Sequence, residues 1–326
     1  MTSFTKFRNL MLSSVALLAL PLAAQAQTGP GFSGAMTLGY SSSSIEFAPG
    51  ADADYNALSI DVISDIAFSE AFSVGLDFSM TSGTLDAGGG LEIDLDLIGL
   101  AIEPEYHFGN GAYAGVYYRM GDLDLSLPFL PITVGVDTES YGVFGGYEHG
   151  PLWVEAFVGR SDTDPGLPGG IDIVDYGLAA SYQINSQFGV FGSVLRTDID
   201  GFGASVDLTS VAIGADYDFG NGFMAYGSLG MLNVSEPLGL DIDGNNLTIG
   251  AAYDLTTMGT PAILSAEYSR TTIDVGAFPG IDPEIDRFAV GLTIPLGGGS
   301  SMPLNSNTRT ARGDYRSAIA AVVNSL

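Results

Sequence analysis

The stretch IGADYDFGNGFMAYGSLG, residues 213–230, alternates apolar and polar residues, breaks at Gly-Asn-Gly, and then alternates again. A relative of it, YHFGNGAYAGVYY, occupies 106–118. Period two sustained over nine or more residues belongs to a strand, because successive strand side chains point to opposite faces. The same alternation runs through ALSIDVISDIAF (57–68), VDYGLAASYQI (174–184), VAIGADYDFG (211–220), LTIGAAYDL (247–255) and FAVGLTI (288–294). One face of each carries mainly Val, Ile, Leu, Tyr and Phe; the other carries Gly, Ala, Ser, Thr and Asp.

The connections between these stretches alternate in length. Short turns are expected at 69–71, 109–111, 149–150, 185–187, 220–222 and 256–260. Longer loops are expected near 42–54, 83–93, 122–137, 161–172, 198–206, 233–245 and 272–285. This series predicts an all-β chain of about fourteen antiparallel strands in up-and-down order, with twelve or sixteen left open. After residue 26 no apolar run reaches the roughly 18 residues of a spanning helix, so entry into a membrane requires strands. In hydrocarbon every backbone N–H and C=O must be paired, which only a closed barrel achieves with strands. Tyr106, Phe108, Tyr147, Tyr182, Tyr217, Phe219 and Tyr253 fall just before the short turns, where amphipathic rings suit a membrane interface. A β-sandwich also alternates, but its strands are usually about 5–6 residues. The expected fold is a closed antiparallel up-and-down transmembrane β-barrel.

The first 26 residues read as a cleaved export signal. Lys6 and Arg8 form its basic start, LMLSSVALLALPLAA (10–24) its apolar centre, and AQA before Gln27 its cleavage site. The barrel is assigned to 27–297 and a periplasmic tail, with room for a short helix, to 298–326. Without the signal the chain has no lysine and eight arginines against 38 acids, a net charge of −30. Such a chain is a poor partner for nucleic-acid phosphates. Hydrophobic residues at 46%, with 18 Phe and 15 Tyr, exclude disorder, and the absence of Cys excludes a disulfide framework.

These features resemble the porin-like outer-membrane β-barrels of Gram-negative bacteria. The resemblance spans residues 32–296. GLTIPL, with Gly291, Ile294 and Leu296, looks like the last-strand signal that the barrel-assembly machinery reads in that family. Ala289 stands where a polar residue is usual, and the chain runs on to Leu326 where the family ends on an aromatic residue. The resemblance implies an outer-membrane location, assembly by that machinery, contact with outer-membrane lipids and lipopolysaccharide, and transport of small hydrophilic solutes. A homo-oligomer is left open.

Assigning the apolar parity to lipid sends twelve acids inward: Asp61, Asp65, Asp77, Glu103, Glu105, Glu148, Glu155, Asp175, Asp216, Asp218, Asp254 and Glu267. Arg287 shares that face, and the side taken by Arg119 is left open. Small residues fill the rest of the face, which predicts a wet lumen. A lumen lined by one sign of charge concentrates counter-ions, so cation selectivity is expected. Structural or adhesive barrels and barrel enzymes are the competing classes. Catalysis has little support: the two histidines, His107 and His149, lie beside short turns with no Ser–His–acid spacing and too few ligands for a metal.

Paired acids punctuate the loops at Asp122/Asp124, Asp162/Asp164, Asp198/Asp200, Asp241/Asp243 and Asp282/Glu284/Asp286. DIDGNN (241–246) is half a calcium loop without its distant Glu, so no cofactor is expected beyond loosely held divalent cations. Arg160 and Arg270 take the lipid-facing parity at the rim, next to acids. Local pairing and contact with lipopolysaccharide phosphates are both open there. The apolar loop DLDLSLPFLPITVGVD (122–137) reads as a constriction, a strand extension or a subunit contact. The tail NTRTARGDYRSAIAAVVNSL (307–326) holds Arg309, Arg312 and Arg316. Asp314 is placed to cap a helix carrying Tyr315, Ile319 and Val322/Val323. The tail either folds back into the acidic lower lumen or hangs free.

Overall fold

The computed structural model describes residues 31–48, 51–127, 132–164, 171–201, 204–235, 241–276, 282–297 and 302–323. The expected signal at 1–26 lies outside them. Fourteen strands follow one another: β1 (Phe32–Ala48), β2 (Ala51–Ser69), β3 (Phe72–Asp86), β4 (Glu92–His107), β5 (Ala112–Leu127), β6 (Ile132–His149) and β7 (Leu152–Asp164) form the first half. The second half comprises β8 (Asp172–Gln183), β9 (Phe188–Gly201), β10 (Ala204–Asp218), β11 (Phe223–Ser235), β12 (Ile242–Asp254), β13 (Ile263–Val275) and β14 (Glu284–Leu296). Each pairs antiparallel with its sequence neighbours, and β1 pairs with β14 to close the barrel. Closure leaves no strand edge exposed.

Outward and inward faces separate as the alternation predicts. On β10 the outward Val211 and Ile213 are exposed on the surface that lipid covers, while the inward Ala212 is buried. At the short-turn end, outward rings touch one another around the rim: Tyr217 and Phe219 at 4.9 Å, Tyr106 and Phe108 at 5.2 Å. The Gly-Asn-Gly turns work as their sequence requires. Gly220 and Gly222 take φ of 75° and 83°, and the Asn221 side chain accepts from the Phe223 N–H at 3.1 Å.

The long loops are where the sequence reading needs correction. Most of the residues assigned to them continue the strands: β1–β6 run 15–19 residues and β7–β14 run 12–15. The stretch 122–137 is a strand extension on both sides of residues 128–131, which lie outside the described ones. The physical reason is a reversal of polarity. On β4 the outward Ile102, Leu100 and Ile98 give way to Asp96 and Asp94, while Leu97, Leu95 and Ile93 turn inward. On β5 the outward Val116, Tyr118 and Met120 give way to Asp122 and Asp124, with Leu123 and Leu125 inward. Register fixes these faces, since Leu97 pairs with Leu123 and Asp96 with Asp124. Beyond the hydrocarbon the outer face meets water, so acids replace apolar residues without breaking the ladder.

Among the described residues after β14 are two short helices, α1 (Arg309–Arg312) and α2 (Ala318–Val323), both packed against the inner wall of the barrel. Of the two courses open to the tail beyond residue 298, residues 302–323 take the one that folds back into the barrel, and they are largely buried there.

Candidate functional site

The inward face of a barrel this size must be filled by something, and here the wall and the tail share the task. All twelve acids of the inward set take the face toward the barrel axis, but they meet different surroundings. Asp61, Glu155, Asp175 and Glu267 are buried, Asp77, Glu103 and Glu105 are partly covered, and Glu148 and Asp218 are exposed near the short turns. Asp65, Asp216 and Asp254 are intermediate. Arg287 points inward as expected, and so does Arg119, whose Nη2 donates to Glu103 at 2.6 Å. His107 Nε2 sits 2.8 Å from Glu105, which also accepts from Ser73 at 2.9 Å. Next to them, a cavity of about 380 Å³ is lined by Asp65, Ser73 and His107.

A set of inward aromatic rings has no counterpart in the period-two pattern. Tyr113, Tyr117, Phe144, Phe157, Phe191 and Tyr226 are all buried on the lumen side. Each stands against a glycine of another strand: Phe144 against Gly115, Tyr117 against Gly142 and, two strands away, Gly159, and Tyr113 against Gly146. Phe157, Phe191 and Tyr226 stand against Gly177, Gly214 and Gly250 in the same way. A Cβ at any of these glycines would overlap the ring. The lumen-facing glycines therefore make wall space for aromatics.

Three tail arginines enter this wall. Arg309, 4% exposed, donates to Asp77 at 3.0 Å and to Asp314 at 2.8 Å, and lies 3.9 Å from Asp61. Arg316, 7% exposed, donates through Nη2 to Glu103 at 2.9 Å and through Nη1 to Glu155. Its Cζ stands 4.8, 5.4 and 5.8 Å from the ring centres of Phe144, Phe157 and Tyr117. Arg312 lies over the Phe191 ring at 5.3 Å and donates to Thr308. Burial pulls Arg316 down, but Glu103 and Glu155 outweigh it and hold its pKa above the ordinary value. Arg312 is lowered by burial, against the opposing pull of Asp314 and Asp216. Asp314 therefore does not cap a helix. Its carboxylate belongs to Arg309, and Ser317 accepts from the Ala320 N–H at the start of α2. Of the four residues placed on that helix, Tyr315 and Ile319 are described, and Tyr315 packs in the aromatic cluster; the side chains of Val322 and Val323 lie outside the described ones.

The wall also holds the tail's entry. Arg287 donates to Glu267, to Asn307 and to the Asn305 carbonyl, all at 3.2–3.3 Å. Glu267 in turn accepts from Ser306 and from the Asn307 N–H. Asn305 lies over the pair Gly39 and Gly291, which face each other across the β1–β14 seam. Leu304 N–H donates to Thr37, itself hydrogen-bonded to Thr293 at 2.8 Å.

Outside, the two rim arginines take the lipid-facing parity and pair locally. Arg160 donates to Asp172 at 3.1 Å, and Arg270 donates to Glu284 with Asp286 at 3.7 Å. Arg196 joins them, bound to Asp198 and Asp207.

Comparison with known proteins decides the family. The profile of the Gram-negative porins matches residues 99–274, more than half of the chain. The chain belongs to the Gram-negative porin family. The matched segment starts in β4 and ends in β13, so the tail lies beyond it. Among solved porins, an anion-selective porin from Comamonas acidovorans is similar at TM-score 0.51 and 12% identity, covering 81% of this chain and 99% of its own. Two other solved structures are similar. A Pseudomonas aeruginosa FadL homologue matches at TM-score 0.52 and 14% identity, covering 83% and 94% of the two chains. The Pseudomonas putida toluene transporter TodX matches at 0.52 and 12%, covering 84% and 93%. At such identities these likenesses establish the barrel fold and leave solute and charge preference to this chain's own residues. No curated protein matches the chain.

Proposed function

We propose that this porin is a passive outer-membrane channel for small hydrophilic solutes, selective for cations and held largely shut by its own C-terminal segment. The observation that carries the reading is the charge facing the axis. Twelve carboxylates there meet five arginines, Arg119, Arg287, Arg309, Arg312 and Arg316, so the lumen stays acidic even with the tail seated. Carboxylate-lined passages favour cations, an effect that salt screens over a Debye length of ~10 Å at 0.1 M. In this reading the signal is removed on export and the short turns and termini face the periplasm. The rim arginines lie where lipopolysaccharide phosphates compete with Asp172, Glu284 and Asp286 for them, and acidic strand ends hold divalent cations loosely.

A structural barrel with a closed lumen is the second reading, favoured by the buried tail. Planar-bilayer recording separates the two. The fourteen strands close without the tail, so a chain ending at Gly297 is a fair comparison with the full one. The expected result is a small conductance for the full chain, a severalfold larger one for the shortened chain, and a cation-side reversal potential in a salt gradient for both. Anion preference would overturn the lumen assignment. Silence from both chains would leave the structural reading.

A further inference from the structure

The seat of Arg316 is built entirely by the wall. Glu103 comes from β4, Tyr113 and Tyr117 from β5, Phe144 from β6, and Glu155 and Phe157 from β7. Two carboxylates take the guanidinium edge, three rings surround its plane, and Tyr113 Oη donates to Glu155 at 3.0 Å to hold that acid in place. Gly115, Gly142, Gly159 and Gly177 are the recesses that let the three rings stand there. Planar delocalised cations gain from both halves of such a site, through paired N–H donors to carboxylates and through the ring faces. The tail does not exhaust it: Arg316 Nε and Tyr117 Oη are both buried without a hydrogen-bond partner among the described residues. A side chain tethered from one direction fills the charge requirement and leaves polar capacity unused.

We propose that this cage is a binding site for guanidinium-bearing solutes, and that Arg316 is its tethered occupant, in place while no solute competes. The proposal rests on the channel reading and adds a solute class to it. A free guanidinium compound entering the lumen takes the same two carboxylates and three rings, displaces Arg316, and loosens the tail at its far end. Compact ammonium ions of equal charge fit the carboxylates and can sit over one ring, but they have no planar face to stack against several at once.

The test uses the full chain carrying Arg316→Ala, with barrel folding checked by heat-modifiable gel migration. Methylguanidinium and methylammonium are titrated separately in planar bilayers and in thermal unfolding. Methylguanidinium is expected to block current saturably and to raise the unfolding temperature, binding about tenfold more tightly than methylammonium. Adding Phe144→Leu, which keeps apolar volume but removes a ring face, is expected to abolish that preference. Should Arg316→Ala not fold, Arg316→Lys keeps the tail's charge in place, and methylguanidinium should then open the channel at lower concentration than in the unaltered chain. Equal action of the two cations, or a preference indifferent to Phe144→Leu, would overturn the proposal while leaving the channel reading intact. A chain that never conducts yet is stabilised only by methylguanidinium would keep the binding site and sink the channel.

Discussion

Arg316 and Arg270 carry the same guanidinium and each meets two carboxylates, yet they sit in opposite solvents. Arg316 is 7% exposed beneath three rings, and Arg270 is 45% exposed at the outer rim beside Glu284 and Asp286. In water an ion pair exchanges one set of polar partners for another and gains little. In the lumen the partners cannot be replaced, so removing one leaves a charge stranded. The inner pairs therefore decide where the tail rests, while the outer pairs decorate a rim that stands without them.

The contrast should break most visibly at Glu155. Glu155→Gln leaves Arg316 buried with one carboxylate fewer, and breaking such pairs costs on the order of 3–5 kcal/mol. The tail should become accessible to added protease and the conductance should rise toward that of the chain ending at Gly297. If the tail stays protected, the inner pairs do not seat it. Acidification acts on the same pairs less selectively. Arginine keeps its charge in acid while carboxylates are protonated, so acidification from neutral toward strongly acid pH weakens the attraction. The attraction is present when the acids are ionised and is lost as pH falls. Conductance should increase in that range while cation preference declines, and a pH-independent reversal potential would contradict both statements.

A smaller effect is expected from Gly177→Ala. Its side chain meets the Phe157 ring and the Leu195 side chain first and cannot share space with the ring, so the ring must swing toward the axis. The barrel should still fold and migrate normally, with single-channel current altered by a modest factor through a displaced Arg316 cage. Current identical to that of the unaltered chain would mean that the ring has room the glycine does not supply. The least change is expected from Arg270→Ala at the rim, in either current or unfolding temperature. A clear loss of stability there would place this exposed pair on the same footing as the inner ones.

The strand framework and the inward acids were legible because both depend only on period two and on which parity is apolar. Asp61 and Glu267 followed from that rule without any knowledge of what they face. The same rule failed where its premise did. Above the hydrocarbon, Asp94, Asp96, Asp122 and Asp124 take the outward face, so a search for outward apolar residues ended the strands too early and left loops in their place. Inward aromatics were hidden for a related reason. Tyr and Phe were read as interface rings from their position beside turns, whereas Tyr117 and Phe157 are identified only by the glycines opposite them on adjoining strands, a cross-strand signal that needs register. Arg309, Arg312 and Arg316 stood out in a chain so poor in cations. Their partners did not, because a flexible segment's path through a lumen is not a local property.

The position of Asn305 has a consequence for how this molecule is made. Its side chain rests on Gly39 and Gly291 together, one from the first strand and one from the last. That seat does not exist until the two ends of the sheet have met, so Asn305 docks only on a finished cylinder, whereas the carboxylates that take Arg309 and Arg316 stand on β2, β3, β4 and β7 away from the seam. For this stretch of the tail, sealing comes first and occupancy second. A seated Asn305 is then a record that the cylinder was completed.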